Sequence, residues 1–169
     1  IQDSLVGSEM CIRDRVRAEM NGYDFNYRVL RPWERDPAFY QTIWTYKSDV
    51  PAHEGPTNHA VLELWTYRFP MTEKEQARLS GELSVIPPLL KQARKNLTGN
   101  ARDLWIAGIN NFYQQKVHLE ELMKKIPKNN KGLQNNLVGA IQATGSFISW
   151  LEDQAKYKNG PSGIGKDNY

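Results

Sequence analysis

The stretch "ARDLWIAGINNFYQQKVHLEELMKKI", residues 101–126, decides the fold class predicted for this chain. Its apolar residues recur at steps of three, four and seven, the spacing that places side chains on one face of an α-helix. That face consists of Trp105, Ile109, Phe112, Leu119, Met123 and Ile126. Asn100, directly before the stretch, is of a residue type that caps helix N-termini, and we expect it to cap this helix. The stretch therefore predicts a long amphipathic helix.

A second long helix is predicted in "LQNNLVGAIQATGSFISWLEDQAKYK", residues 133–158, after the turn-forming "PKNNKG". Its apolar face, which includes one threonine, recurs at helical spacing and consists of Leu133, Leu137, Ile141, Thr144, Ile148 and Leu151. Small residues give this helix a smooth side on which another helix could pack closely; they are Gly139, Ala140, Ala143 and Gly145.

A third apolar stripe lies upstream and consists of Leu79, Leu83, Ile86, Leu90, Ala93 and Leu97. Thr72 and Glu75 precede it with the spacing of a capping box, which predicts the helix start. Pro87 and Pro88 interrupt the stripe, because neither can donate the backbone hydrogen bond of a helix interior. The pattern fits either two helices or one sharply kinked helix.

Two earlier segments also predict helices. In "RDPAFYQTIWTYK", Asp36 can act as an N-cap and Pro37 occupies the first helical position. In "GPTNHAVLELWTYRFP", one helical face ends before Pro70 and consists of Val61, Leu62, Trp65 and Phe69. No segment alternates convincingly with a period of two. The predicted fold class is therefore all-α, a multi-helix bundle.

Composition excludes several classes of protein. Hydrophobic residues make up 40% and charged residues 24% of the 169 positions, as in an ordinary globular chain. There is no run of about 18 apolar residues, so no membrane span is expected. The net charge is only +3, and no basic stripe interleaved with exposed aromatic residues is visible, which argues against nucleic-acid binding.

The motif "HEGPTNH" contains His53, Glu54 and His59, residue types that bind zinc. Zinc peptidases of the His-Glu-x-x-His type need their histidines one helical turn apart. Here the histidines are six residues apart, and Gly55 and Pro56 break any helix between them. The motif therefore predicts a polar loop rather than a metal site.

The stretch "GPSGIGKD", residues 160–167, has the glycine and lysine spacing of a phosphate-binding loop. Asp167, however, stands where a Ser or Thr hydroxyl should bind magnesium, and its carboxylate would repel phosphate. The preceding residues also predict a helix rather than the required strand. A flexible glycine loop that approaches a ligand with its backbone remains possible.

No arrangement of residues predicts a catalytic nucleophile. The chain has only three histidines, and His118 lies within a predicted helix among Gln115, Lys116 and Glu120. The residues by themselves predict a helical domain without a catalytic centre.

Three blocks of sequence resemble the N-terminal portion of a bacterial family called domain of unknown function 885. They are "RPWERDPAFY" (31–40), "IPPLLKQARKNL" (86–97) and "GPSGIGKDNY" (160–169), and the resemblance covers residues 16–169. It implies a longer, mostly helical, zinc-peptidase-like protein. The family's presumed metal motif, a His-Glu signature ending in Pro-Gly-His-His, matches no residue here. The resemblance therefore assigns no metal ligand and no catalytic residue to this chain, and zinc is expected only in the full-length protein.

The resemblance further implies that residues 16–169 are an incomplete part of a larger helical domain and end in a glycine-rich loop (160–169). Such a piece would form part of the wall of a substrate cleft that the C-terminal part of the same chain completes. The substrate would be a peptide or a related amide. The candidate substrate-binding residues are Ser162, Gly163, Lys166 and Tyr169, which would offer backbone amides and a cation to a carbonyl or carboxylate. The 169-residue chain alone is expected to be inactive toward peptides and not to bind zinc tightly.

A second hypothesis is a free-standing helical interaction module without enzymatic activity, which presents an apolar or aromatic groove to a partner helix. An incomplete domain should instead expose an apolar surface that its missing part covers. We expect that surface on the last long helix, at Phe147, Ile148, Trp150 and Leu151.

The first residues form a separate question. "SLVGSEMCIRDR" resembles a peptide that recurs in conceptual translations of environmental sequencing reads, and we expect residues 1–15 to be a non-native tail. This tail contains Cys11, the only cysteine of the chain. Without other cysteines no disulfide argues for or against export, so both an exported and a cytoplasmic location stay open.

Overall fold

A computed structural model describes residues 2–46 and 61–168 of the chain. The α-helices of this part are α1 (Gln2–Phe25), α2 (Pro32–Arg35), α3 (Glu73–Asn96), α4 (Arg102–Lys125) and α5 (Lys131–Ala155). Two strands of two residues each, β1 (Ile43–Trp44) and β2 (Leu62–Glu63), pair in parallel. The predicted all-α fold class is confirmed.

The chain divides into two compact units, residues 33–162 and residues 1–32 with 163–169. The core of the larger unit is built on the three long helices, and α5 packs against both α3 and α4. Most of the stripe residues predicted from the sequence are buried there: Leu79, Leu83, Ile86, Leu90, Ala93, Leu97, Trp105, Phe112, Leu119, Ile126, Leu133, Leu137, Thr144, Ile148 and Leu151. Three others, Ile109, Met123 and Ile141, are partly buried against this core. The three periodic stripes thus meet in one core.

The start of α3 follows its predicted capping box. The Thr72 hydroxyl accepts a hydrogen bond from the Glu75 backbone at 3.3 Å, and the Glu75 carboxylate accepts one from the Thr72 backbone at 2.8 Å. The bond from the Thr72 backbone, together with one that the Thr72 hydroxyl donates to the same carboxylate at 2.8 Å, lowers the pKa of Glu75. Pro87 and Pro88 lie inside one helix, Glu73–Asn96, so the two-helix alternative is wrong. The apolar stripe stays buried on both sides of the prolines, and this packing offsets the missing backbone bonds.

The helices predicted for residues 35–47 and 55–70 are wrong in the described parts of these segments. The chain forms a short 3₁₀ helix at Pro37–Tyr40 and a second at Leu64–Thr66, and β1 and β2 lie next to them. Ile43 and Leu62 are paired across the strands and are only 2% and 0% exposed. Both side chains are buried from an extended backbone, so tertiary packing overrides the helical spacing here.

Two contacts on α4 hold the segment before β1. The buried Gln115 side chain accepts a hydrogen bond from the Thr42 backbone at 2.9 Å and donates one to the Thr144 hydroxyl at 3.3 Å. Two turns earlier along the packed face, Gly108 lets Pro37 approach α4, since a Cβ there would lie 2.6 Å from the Pro37 Cβ. Asp36 caps the 3₁₀ helix as predicted, accepting from the Ala38 backbone at 2.8 Å. Burial raises the pKa of Asp36.

The smaller unit begins with α1, which continues into a π-helical turn at Asn26–Leu30. That turn ends at Arg31, whose φ of 44° is left-handed and whose backbone donates to the Asn26 carbonyl at 2.8 Å. All side chains from Cys11 to Phe25 are exposed. None of the helices in residues 2–46 and 61–168 combines the length and the apolar character that a bilayer span requires.

Candidate functional site

The glycine-rich segment is anchored at its start to the loop before α4. The Asn100 side-chain oxygen accepts hydrogen bonds from the backbones of Asn159 at 2.8 Å and Gly160 at 2.9 Å. The Arg102 backbone donates to the Gly160 carbonyl at 3.1 Å. Asn100 was expected to cap α4, and this prediction is wrong: Ala101 is the N-cap and makes no side-chain bond. The Asn100 carboxamide is engaged in tertiary hydrogen bonds instead.

Ser162, one of the candidate substrate-binding residues, supplies the missing cap. Its hydroxyl accepts a hydrogen bond from the Asp103 backbone at 2.8 Å. Together with the Gly160 carbonyl, it satisfies two of the backbone N–H groups that a helix leaves unpaired at its N-terminus. The hydroxyl proton of Ser162 is not used in this bond, so it can still be donated to a ligand.

Arg35 joins the sequence blocks 31–40 and 160–169. Its guanidinium donates to the carbonyls of Pro161 at 3.2 Å and Ser162 at 3.3 Å. The same part of the chain approaches Gly99, whose backbone donates to the Glu34 carbonyl at 2.8 Å. A side chain on Gly99 would lie 2.8 Å from both the Arg35 Cγ and the Glu34 carbonyl. Residues of the block 31–40 therefore directly hold the start of the block 160–169.

The other three candidate residues lie in the C-terminal segment, residues 163–169, of the smaller unit. Lys166 is exposed and begins a 3₁₀ turn at Lys166–Asn168. Gly165 has a φ of 82°, a backbone conformation that strongly favours glycine, and the Asn168 side chain donates to the Ile164 carbonyl at 2.7 Å. Tyr169 lies outside the described residues. This segment thus forms a glycine-dependent turn that carries an exposed ammonium group.

An aromatic cluster lies in the core beside the anchored segment. The rings of Phe147 and Trp150 stack at 5.5 Å, and Phe112 meets Phe147 edge-on at 4.8 Å. Lys158 lies over the buried Trp105 ring with its Nζ 4.4 Å from the centroid, and burial lowers the pKa of its ammonium group. This cation–π contact stabilises the chain just before the glycine-rich segment.

The apolar surface expected on α5 is not found there. Phe147, Ile148 and Leu151 are buried, and Trp150 is partly buried. The reason is that α5 packs between two helices and therefore buries more than one of its faces. Larger apolar exposure is found on α4, where Ile106, Tyr113 and Val117 are 45%, 44% and 45% exposed.

The described residues do not form a zinc site. His53, Glu54 and His59 lie outside them, and the rest of the chain, 2–46 and 61–168, contains no group of three or more His, Cys, Asp or Glu that could hold a metal. We therefore assign no part of any zinc chemistry to these residues.

Comparison with protein-family models, with curated proteins and with solved structures finds no match. Any function must therefore be argued from the residues and the geometry.

Sequence reasoning missed the residues that hold the glycine-rich segment. Arg35 and Asn100 lie within or beside quoted motifs, but their partners are 59 to 127 positions away along the chain. For Lys158 the sequence predicts only a position at the end of the helix 133–158. No local pattern predicts such contacts, because they depend on how α4 and α5 are packed.

Sequence reasoning also missed a cavity of about 280 Å³ near the C-terminal end of α4. It is lined by residues that include Leu64, Phe69, His118, Glu121 and Lys125. The spacing of the last three along α4 places them on one face, and this spacing was the signal available in the sequence.

Proposed function

We propose that this chain is a non-catalytic N-terminal piece of a zinc-dependent, peptidase-like hydrolase and forms part of its substrate-cleft wall. The observation that supports this most directly is the pair of hydrogen bonds from Arg35 to the Pro161 and Ser162 carbonyls. These bonds join the first and last blocks of the family resemblance. A binding loop works best when supporting residues hold its backbone in place, and the Arg35 and Asn100 contacts do this.

In this proposal the glycine-rich segment binds the substrate rather than transforming it. The Ser162 hydroxyl, whose proton is not used in the bond from Asp103, donates a hydrogen bond to a peptide carbonyl. The exposed Lys166 ammonium binds a carboxylate of the substrate. Zinc, held by the C-terminal part of the full-length protein, would polarise the scissile carbonyl and activate water.

The test uses a longer protein that contains both residues 16–169 and the metal motif. Lys166→Met should lower kcat/KM for short peptides about tenfold or more, because one charged hydrogen bond to the substrate is lost. Its free energy of unfolding should stay unchanged, since Lys166 is exposed. Lys91→Met, at an exposed position on α3, is the matched control. An equal effect of both changes on kcat/KM would contradict the proposal.

A free-standing interaction module is the second candidate, favoured by the exposed Ile106, Tyr113 and Val117 on α4. If the chain is part of a larger domain, the rest of that domain covers this face of α4. If the chain is a module, the face stays open for a partner. If the chain is part of a larger domain, dye binding by residues 16–169 should disappear in the longer protein. If the chain is a module, the longer protein should bind a hydrophobic dye equally well, and Val117→Glu should lower the signal in both.

A further inference from the structure

The cavity at the C-terminal end of α4 combines an apolar floor with charged side chains. Leu64, Phe69 and Leu122 contribute apolar surface, and His118, Glu121 and Lys125 contribute polar groups. Its volume of about 280 Å³ lies just below the roughly 300–1,000 Å³ of sites for drug-sized ligands. A ligand enclosed there must therefore be small.

Neither formal charge of the cavity is paired with an opposite charge among the described residues. Glu121 precedes Lys125 by four residues, an arrangement that commonly forms an ion pair along a helix. In the described part of the chain neither side chain has an ion-pair or hydrogen-bond partner. Lys125 lies over the Phe69 ring instead, with its Nζ 5.7 Å from the centroid. The cavity therefore presents a separate acid and base to whatever enters it.

We propose that this cavity binds a small zwitterion, an α-amino acid with an apolar side chain. The Glu121 carboxylate pairs with the ligand's ammonium group, and the Lys125 ammonium pairs with its carboxylate. The apolar side chain packs on Phe69 and Leu64. The His118 imidazole, at the same wall, offers one further hydrogen bond to the ligand.

Other ligand classes fit the cavity less well. A phosphate or nucleotide would be repelled by Glu121, and a nucleotide would exceed the volume. A metal ion would find only His118 and Glu121, since no third ligand joins them among residues 2–46 and 61–168. A purely apolar ligand would leave both charges without partners. The combination of opposite charges and an aromatic floor favours the amino acid.

This site is distinct from the glycine-rich segment and goes beyond the function proposed above. The Ser162 hydroxyl accepts a hydrogen bond from the Asp103 backbone, near the N-terminus of α4. Glu121 lies 18 residues further along the same helix. At 1.5 Å per residue this separation is roughly 27 Å. The two sites therefore act independently and can be tested independently.

The test is calorimetric titration of the full 169-residue chain with L-phenylalanine and L-leucine. Both should bind, and N-acetyl-L-phenylalanine amide, which lacks both charges, should bind at least about tenfold more weakly. Glu121→Gln and Lys125→Gln should each weaken L-phenylalanine binding about fivefold or more for the same reason. Both residues are exposed, so neither change should alter folding.

The matched controls are Glu120→Gln and Lys116→Gln on the same helix. These residues form their own ion pair at 3.8 Å and do not line the cavity, so the controls should leave binding unchanged. Equal affinity for the uncharged amide, no detectable amino-acid binding, or equal effects of control and cavity variants would each overturn the proposal. Zinc binding that His118→Ala abolishes, without amino-acid binding, would also overturn it.

Discussion

At the scale of single residues, the Ser162 hydroxyl performs a task that a neighbouring residue usually performs. It accepts a hydrogen bond from the Asp103 backbone and caps α4 from 59 positions away. The stability of α4 and the position of residues 160–162 are therefore coupled through one side chain.

Ser162→Ala should lower the free energy of unfolding by about 1 kcal/mol, as for the loss of an N-cap. Ser149→Ala is the matched control, because its hydroxyl only bonds back to the Gly145 carbonyl within α5. The control should change stability by less than about 0.5 kcal/mol. Urea unfolding of both variants measures the difference, and equal stabilities would show that the cap is unimportant.

Replacing two glycines of this chain by alanine should change the free energy of unfolding in opposite directions. A Cβ on Gly160 would collide with the Asn100 carbonyl and side chain, so Gly160→Ala should destabilise the chain by about 1–3 kcal/mol. Gly139 lies inside α5 with open space around it. Gly139→Ala should therefore stabilise the chain by about 0.5–1 kcal/mol. Thermal unfolding distinguishes the two. A loss of stability in Gly139→Ala would indicate that a partner packs closely on the small-residue side of α5.

At the scale of elements, the segment after β2 is attached to α3 by a compact set of polar contacts. The Tyr67 hydroxyl donates to the Glu82 carboxylate at 2.7 Å. The Arg78 guanidinium lies 4.4 Å from the centroid of the Tyr67 ring and also pairs with Glu82 at 2.9 Å. These contacts, together with Gln115 at the Thr42 backbone, hold the two short strands against the helices.

This attachment should weaken at high pH. Burial, followed by the hydrogen bond to Glu82, raises the pKa of Tyr67 well above its usual value of about 10. Since the folded-state pKa is raised, Tyr67 contributes stability that is complete below about pH 10 and is lost as the pH rises above it. Urea unfolding between pH 8 and pH 11 should therefore show a decline that is smaller in Tyr67→Phe. Tyr157→Phe, at an exposed tyrosine, should leave the decline unchanged.

At the scale of the whole molecule, residues 1–15 contribute side chains that are exposed wherever the structure describes them, from Cys11 onward. Deleting Ile1–Arg15 should change the free energy of unfolding by no more than about 0.5 kcal/mol, because the side chains described in this segment, Cys11 to Arg15, are all exposed. Chemical unfolding of residues 16–169 against the full chain is the measurement. A loss of about 2 kcal/mol or more would identify the segment as a structural element and contradict its interpretation as a non-native tail.

By itself, the sequence was enough to predict α4, α5 and the apolar stripe of α3, although it left open whether Pro87 and Pro88 divide α3 into two helices. Their apolar residues recur with the period of the α-helix over 19 to 22 positions each, a length that favours a helix over a strand. The capping box at Thr72 and the Asp36 cap were also predictable, because both are local hydrogen bonds within three residues. The glycine-rich segment was recognisable as a loop for the same local reason.

Only the tertiary structure decided the rest. Ile43 and Leu62 adopt extended conformations in which both side chains are buried in the core, and no local pattern predicts that packing. Ser162 rather than Asn100 caps α4, and Arg35 holds the glycine-rich segment, because the packing of α4 and α5 brings distant residues together. The cavity at Glu121 and Lys125 forms only once Leu64 and Phe69 pack beside α4. Local periodicity determines helices, whereas sites depend on contacts between residues far apart in the chain.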